Sequence, residues 1–265
     1  MTYPDLLDIG ANLTHDSFEL DRDAVIGRAR EHGVRRMIVT GSSEQGSIDA
    51  ANLAHAYSGS LYATAGVHPH HASDYGVSAG QTLRELATRP YVVAIGECGL
   101  DYFRNFSPRQ AQRDAFQAQL ELAAECNLPV FLHQRDAHDE FVEILAPMRN
   151  RLKGGVAHCF TGTESELRCY LDLDLYIGIT GWIGDERRGS HLKSLVTAIP
   201  DDRLMLETDS PYLLPRSLKP RPQTRRNEPM YLREVLRVVA ESTGRPEQIV
   251  ATRSTANAER FFSLT

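Results

Sequence analysis

The sequence predicts one α/β domain over residues 1–265, a (β/α)8 TIM barrel with a metal site at its C-terminal rim. Three observations carry this. Eight short apolar runs recur with room for a helix between each pair, the pattern of repeated βα units. Helix-like periodicity fills the gaps. Most of the runs are apolar until their last residues and then carry a carboxylate or an imidazole. The length of 265 residues also suits one barrel, since such barrels commonly need about 250.

Taken in order, the predicted strands are LLDIGANL from Leu6, RRMIVTG from Arg35, YATAGVHP from Tyr62 and VVAIGECGLD from Val92. PVFLHQR from Pro129, GVAHCF from Gly155, LYIGITG from Leu175 and LMLETDSPYL from Leu204 complete the set. The clearest helix runs from Pro108 to Asn127, where Ala111, Ala115, Phe116, Leu120 and Ala123 recur at three- and four-residue spacing. Ser107 and Pro108 are the expected cap and first residue of that helix. After the eighth strand come Pro211, Pro215, Pro220, Pro222 and Pro229, so this stretch reads as a long surface loop. Helical patterns over Met230–Ser242 and Pro246–Phe262 close the chain, with no Gly/Ser-rich linker to mark a domain boundary.

Composition narrows the function classes. Hydrophobic residues make up 42% and charged residues 24%, an ordinary globular balance that buries a core without staples. No apolar run approaches the ~18 residues of a membrane span, and Met1 to Leu7 lacks the features of a signal peptide, so a cytoplasmic protein is expected. Cys98, Cys126, Cys159 and Cys169 show no C-x-x-C spacing and read as reduced thiols. A net charge of −6 has the wrong sign for a protein that coats duplex DNA. One acid-free stretch holds Arg216, Lys219, Arg221, Arg225 and Arg226, which reads equally as a local phosphate contact or a solvated basic loop.

The polar strand ends are Asp8, His68, Glu97, His133, His158 and Asp209. In an eight-stranded α/β barrel the C-terminal rim brings all strands to one site. Alternation along the strand separates Glu97 from Cys98 and His158 from Cys159, which sends the thiols under the outer helices. Each histidine alone reads as a hydrogen-bonded core residue. Several ionisable groups buried together cost several kcal/mol per charge unless they pair or hold a cation. A divalent metal meets that cost, and mixed carboxylate and imidazole donors suit Zn, Mn, Fe or Mg.

Six ordered motifs carry a family resemblance: GVHPH (Gly66–His70), AIGECGLDY (Ala94–Tyr102), PVFLHQRDA (Pro129–Ala137), HCFTGT (His158–Thr163), YIGITGW (Tyr176–Trp182) and LETDSPYLLP (Leu206–Pro215). Across essentially its whole length the chain resembles the TatD family of 3′-5′ exonucleases acting on single-stranded DNA and RNA. The resemblance implies an amidohydrolase-like barrel with metal ligands at Glu97, His133, His158 and Asp209. It also implies a divalent ion; Mg2+ is expected first with Mn2+ or Zn2+ as alternatives, and no membrane or obligate protein partner is expected. Members of the wider family carry D-x-H-x-H on the first strand, where this chain has Asp8-Ile9-Gly10-Ala11-Asn12. One firmly held metal is therefore expected, and at most a weak second.

The expected chemistry is hydrolysis by water activated on the ion, with Asp209 as general base and His68 and His70 contacting the scissile phosphate. Tyr102, Arg104, Trp182 and Tyr212 are expected to meet unpaired bases, or else to pack loops. Arg225, Arg226 and the DERR segment from Asp185 supply the expected phosphate contacts. Two rivals stand beside this reading: a hydrolase of a small lactone, amide or phosphate ester, and a non-enzymatic binding protein on a degenerate barrel.

Overall fold

The computed structural model describes residues 5–264. Among these, the strands are β1 (Leu6–Ala11), β2 (Val34–Val39), β3 (Leu61–Ala65), β4 (Val92–Asp101), β5 (Val130–Arg135), β6 (Gly155–Ala157), β7 (Tyr176–Ile179) and β8 (Leu204–Leu206). They form one eight-stranded sheet in sequential order β1 to β8. Pairing is parallel for β3/β4, β4/β5, β5/β6 and β7/β8. Sequential parallel strands joined by helices are the (β/α)8 TIM-barrel fold. Its strands read as apolar because parallel strands are covered on both faces, and every residue of β1 and β4 is buried.

The helices are α1 (Arg22–Glu31), α2 (Glu44–Ala56), α3 (Val77–Leu86), α4 (Arg109–Cys126), α5 (His138–Leu145), α6 (Glu164–Asp172), α7 (Ser190–Leu195), α8 (Leu232–Thr243) and α9 (Glu247–Phe262). Asn127 ends α4 and Gly244 ends α8, each in the left-handed region that closes a helix. Neither a regular helix nor a strand interrupts the proline-rich stretch between β8 and a 3-10 turn at Pro229–Tyr231. No described helix is long and apolar enough to cross a membrane.

Contacts divide the chain into two compact units, where the sequence shows no boundary. Of the described residues, one comprises 5–38, 159–167 and 176–264; the other comprises 39–158 and 168–175. In the first, α9 packs on β1 and β8, and the Asn257 amide donates to the carbonyls of Asp201 and Leu204, both at 2.8 Å. Asp8 on β1 accepts from the Thr208 amide at 2.9 Å and its hydroxyl at 2.5 Å. In the second, α4 lies along β4, and Phe116 stacks on Phe141 with ring centroids 5.2 Å apart.

Two local expectations change. Ser107 does not cap α4: its hydroxyl donates to the His70 carbonyl at 3.0 Å and accepts from the Ser73 amide. Strict alternation fails in β4, where the register slips between Gly96 and Cys98. Gly96 and Gly99 take φ values of +132° and +145°, and a Cβ on either would collide with a carbonyl oxygen of β5. The slip leaves Cys98 fully buried, whereas Cys159 is half-buried with its Sγ 3.6 Å from the Thr180 hydroxyl.

Candidate metal centre and nucleic-acid groove

Strands β3 to β6 bring four of the predicted residues together around one oxygen atom. Glu97 Oε1 lies 2.8 Å from His158 Nε2, 2.9 Å from His133 Nδ1 and 3.3 Å from His68 Nε2. Glu97 comes from the β4 bulge, His133 from β5, His158 follows β6, and His68 follows β3. His68, Glu97 and His133 each offer one ligand atom within 4.8 Å of the others.

Protonation follows from this crowding. Burial alone raises the Glu97 carboxyl, yet His158, His68 and His133 outweigh burial and hold it well below the usual carboxylate range. Burial pushes His68 down to about 4, against the pull of Glu97. Burial also lowers His133, but the carboxylates of Asp101 and Glu97 raise it overall. His133 Nε2 is buried without a hydrogen bond, its nearest carboxylate oxygen being Asp101 Oδ2 at 3.5 Å.

A neutral imidazole has one N–H and one lone pair. His68 Nδ1 accepts from the His70 amide at 3.0 Å, so the proton of the neutral ring is on Nε2, facing Glu97. That makes His68 a donor at the edge of the cluster. Glu97, His133 and His158 keep a carboxylate and two imidazoles for a divalent ion, and the orphaned His133 nitrogen fits such a donor set.

The rings are held by residues the sequence reading missed. Two buried glutamines, two turns apart on α4, each pair with a strand-end backbone. Gln112 accepts from the Asp101 amide at 2.9 Å and donates to the Asp101 and Ser107 carbonyls. Gln119 accepts from the Val67 amide at 2.7 Å and donates to its carbonyl at 3.0 Å. Asp101, at the end of β4, takes His70 Nε2 at 2.8 Å. Burial raises its carboxyl, but the imidazoles of His133 and His70 and the Arg104 amide pull it far below the usual range. His68 caps a 3-10 turn, Pro69–Asp74, that contains His70. The signal was a polar residue on an otherwise apolar helix stripe.

The family model described as TatD related DNase matches residues 7–263. The chain belongs to the TatD-related DNase family. Among TatD relatives, the proteins named 3′-5′ ssDNA/RNA exonuclease TatD of Pantoea vagans and Erwinia tasmaniensis are each 52% identical over 98% of this chain and 100% of their own. The solved TatD homologue YjjV of Escherichia coli K12 superposes with a TM-score of 0.89 at 28% identity, covering 98% of both chains. A TatD family hydrolase of Entamoeba histolytica gives 0.87 at 26% identity over the full length of both.

The remaining TatD motif residues belong to the other unit. Asp209 follows β8 at φ +53°, its amide donating to the Gly10 carbonyl at 2.8 Å and its Oδ1 accepting from Asn12 Nδ2 at 3.0 Å. Asn12 thus orients Asp209 through its amide nitrogen. Glu207 is fully buried and accepts the backbone N–H of Cys159, the residue that follows His158.

In the same unit lies an open groove of about 660 Å³, lined by Trp182, Asp185, Arg188, Arg216, Arg221 and Arg225, among others. Arg216 is paired with Asp185 at 3.0 Å, and Arg188 lies 5.5 Å from the Trp182 ring centroid. The Arg221 and Arg225 side chains make no ion pair with any described residue, so both remain available to phosphate.

Three expected substrate contacts have other partners. Arg226 donates to both oxygens of Asp21, to Glu228 and to the Ser17 carbonyl, so its guanidinium is committed to the fold. Tyr102 is buried, its hydroxyl donating to Glu140 at 2.8 Å and Arg109 covering its ring at 4.1 Å. Tyr212 is half exposed but meets His15 edge-on. Arg104 is exposed, anchored through its backbone amide to Asp101 Oδ1 at 2.8 Å.

Proposed function

We propose that this chain is a Mg2+-dependent 3′-5′ exonuclease of single-stranded DNA and RNA. The observation that carries the reading is the convergence of three imidazoles on one oxygen of a buried, ionised Glu97. The full-length likeness to relatives named as such exonucleases supports the substrate class. The unpaired arginines of the groove supply locally the positive charge that a net charge of −6 lacks overall. Four cysteines outside any disulfide suit a reducing cytoplasm.

Glu97, His133 and His158 would hold the ion, which supplies polarisation of the phosphoryl oxygens and acidification of water. His68 stays neutral near pH 7 and presents Nε2–H, which passes from Glu97 to a phosphoryl oxygen. Asp101 fixes His70 through Nε2 and leaves Nδ1 to face substrate. Asp209, held at Oδ1 by Asn12, is the residue proposed for the general-base role.

Single-stranded oligonucleotides labelled at either end, incubated with Mg2+, Mn2+ or Zn2+, test the reading. A ladder shortening from the 3′ end, abolished by chelation, is the expected result. Intact strands with every metal, or shortening from the 5′ end, would refute it.

A further inference from the structure

Two of the most exposed large apolar side chains, Phe103 at 53% and Phe106 at 67% exposure, occupy the single turn that follows β4. The turn is held from three sides. The Arg104 amide donates to Asp101 Oδ1 at 2.8 Å, the Asn105 side chain to the Tyr102 carbonyl at 2.6 Å, and the Ser107 hydroxyl to the His70 carbonyl at 3.0 Å. A ring displayed to solvent on an anchored turn is already ordered, so a partner that stacks on it meets little entropic cost.

Position identifies the partner. The Phe106 ring centroid is 4.7 Å from that of His70, and the His70 ring is 4.2 Å from that of His68, whose Nε2 faces Glu97. Phe106 is therefore two ring contacts from the metal cluster, within reach of the base of a nucleotide whose phosphate lies there. Beside it, Arg135 covers the Phe103 ring at 3.9 Å and Arg104 approaches it at 5.5 Å. Neither guanidinium pairs with a carboxylate among the described residues. An exposed aromatic ring interleaved with unpaired guanidiniums is the make-up of a single-strand binding surface, where bases stack on rings and cations take phosphates.

Resting on the exonuclease reading, we propose that Phe106 is the stacking platform for the terminal base of the strand, with Arg104 and Arg135 on a neighbouring phosphate. Stacking does not depend on which base is present, so the platform grips any terminal nucleotide and loses its hold where the base is missing.

The test measures binding with metal chelated, so that no strand is cut. A single strand carrying 2-aminopurine at its 3′ end loses fluorescence on binding the wild type and Phe106→Tyr, but not Phe106→Ala. Removing the terminal base weakens wild-type binding roughly tenfold and leaves Phe106→Ala binding unchanged. Equal quenching by Phe106→Ala, or the same tenfold preference for the base-containing strand in that variant, overturns the proposal. Restoring the metal then reads hydrolysis separately: uncut strands count against the exonuclease reading alone, and the quenching result stands by itself.

Discussion

Two clusters of charged side chains, one in each unit, solve the same problem in opposite ways. In one, Arg226 and Arg28 face Asp21 and Glu228 at 2.8 to 3.2 Å, two guanidiniums against two carboxylates. In the other, Glu97 meets only imidazoles, and Asp101 close by has imidazoles as well. The first cluster balances its own charge and ties the segment after the proline-rich loop to α1. The second sets carboxylates against imidazoles with no guanidinium or ammonium among them, the arrangement that the proposed cation would complete. A third solution appears at Asp8, which has no cation partner among the described residues: burial pushes its carboxyl up to about 8, against the hydrogen bonds from Thr208 and Gly10. Formal charge alone therefore does not mark a site; the kind of partner does.

The largest expected effect breaks the open cluster. Glu97→Gln or His133→Ala should lower hydrolysis by roughly a hundredfold or more at saturating metal, with circular dichroism unchanged because these side chains are not packing the barrel interior. Retained turnover in both would remove the cluster from the chemistry.

Asp8 gives the next test. Its folded pKa of about 8 lies above the ordinary 3.8, so its stabilisation is complete below about pH 3.8 and is lost as pH rises through about 8. Asp8→Asn, which cannot ionise, should gain stability relative to the wild type between pH 5 and pH 8. Denaturant titrations at the two pH values that give a constant difference would show that Asp8 carries no proton in the fold.

Breaking the closed network is expected to cost stability without cost to catalysis. Arg226→Ala leaves Asp21 and the nearly buried Glu228 to share Arg28 alone, and should cost about 2 kcal/mol, read as a lower melting temperature. Hydrolysis within twofold of wild type is the accompanying result, and a selective loss of substrate binding would put Arg226 back among the phosphate contacts. The smallest effect sharpens the contrast between paired and unpaired arginines. Replacing Arg221 and Arg225 with Ala should flatten the slope of log binding constant against log salt by about 1.4, at ~0.7 per single-strand phosphate contact. A hydrolase of small molecules would show no change in rate.

Much of this fold was legible because a strand covered on both faces has to be apolar along its length, and β4 begins and ends where its apolar run does. The candidate ligands stood out for the complementary reason, since Glu97, His133 and His158 interrupt or end runs that are otherwise apolar. What stayed hidden depends on backbone detail. Alternation cannot reveal the register slip at Gly96, which decides where Glu97 and Cys98 point. Gln112 and Gln119 read as polar gaps in a helix stripe until the strand ends they bind are in place. Arg225 and Arg226 are neighbours of the same type, and only the reach to Asp21 and Glu228 separates a structural arginine from an available one.

The central claim is that Glu97 and its histidines hold one divalent ion firmly. Gly10 offers no ligand, and Asn12 is engaged with Asp209 and the Ser210 carbonyl, so no second tight site is expected from the first strand. Calorimetric titration of metal-stripped protein with Mn2+, without nucleic acid, tests this most directly. The account predicts one high-affinity equivalent per chain that disappears in Glu97→Gln. Two tight equivalents, or one that survives that substitution, would contradict it.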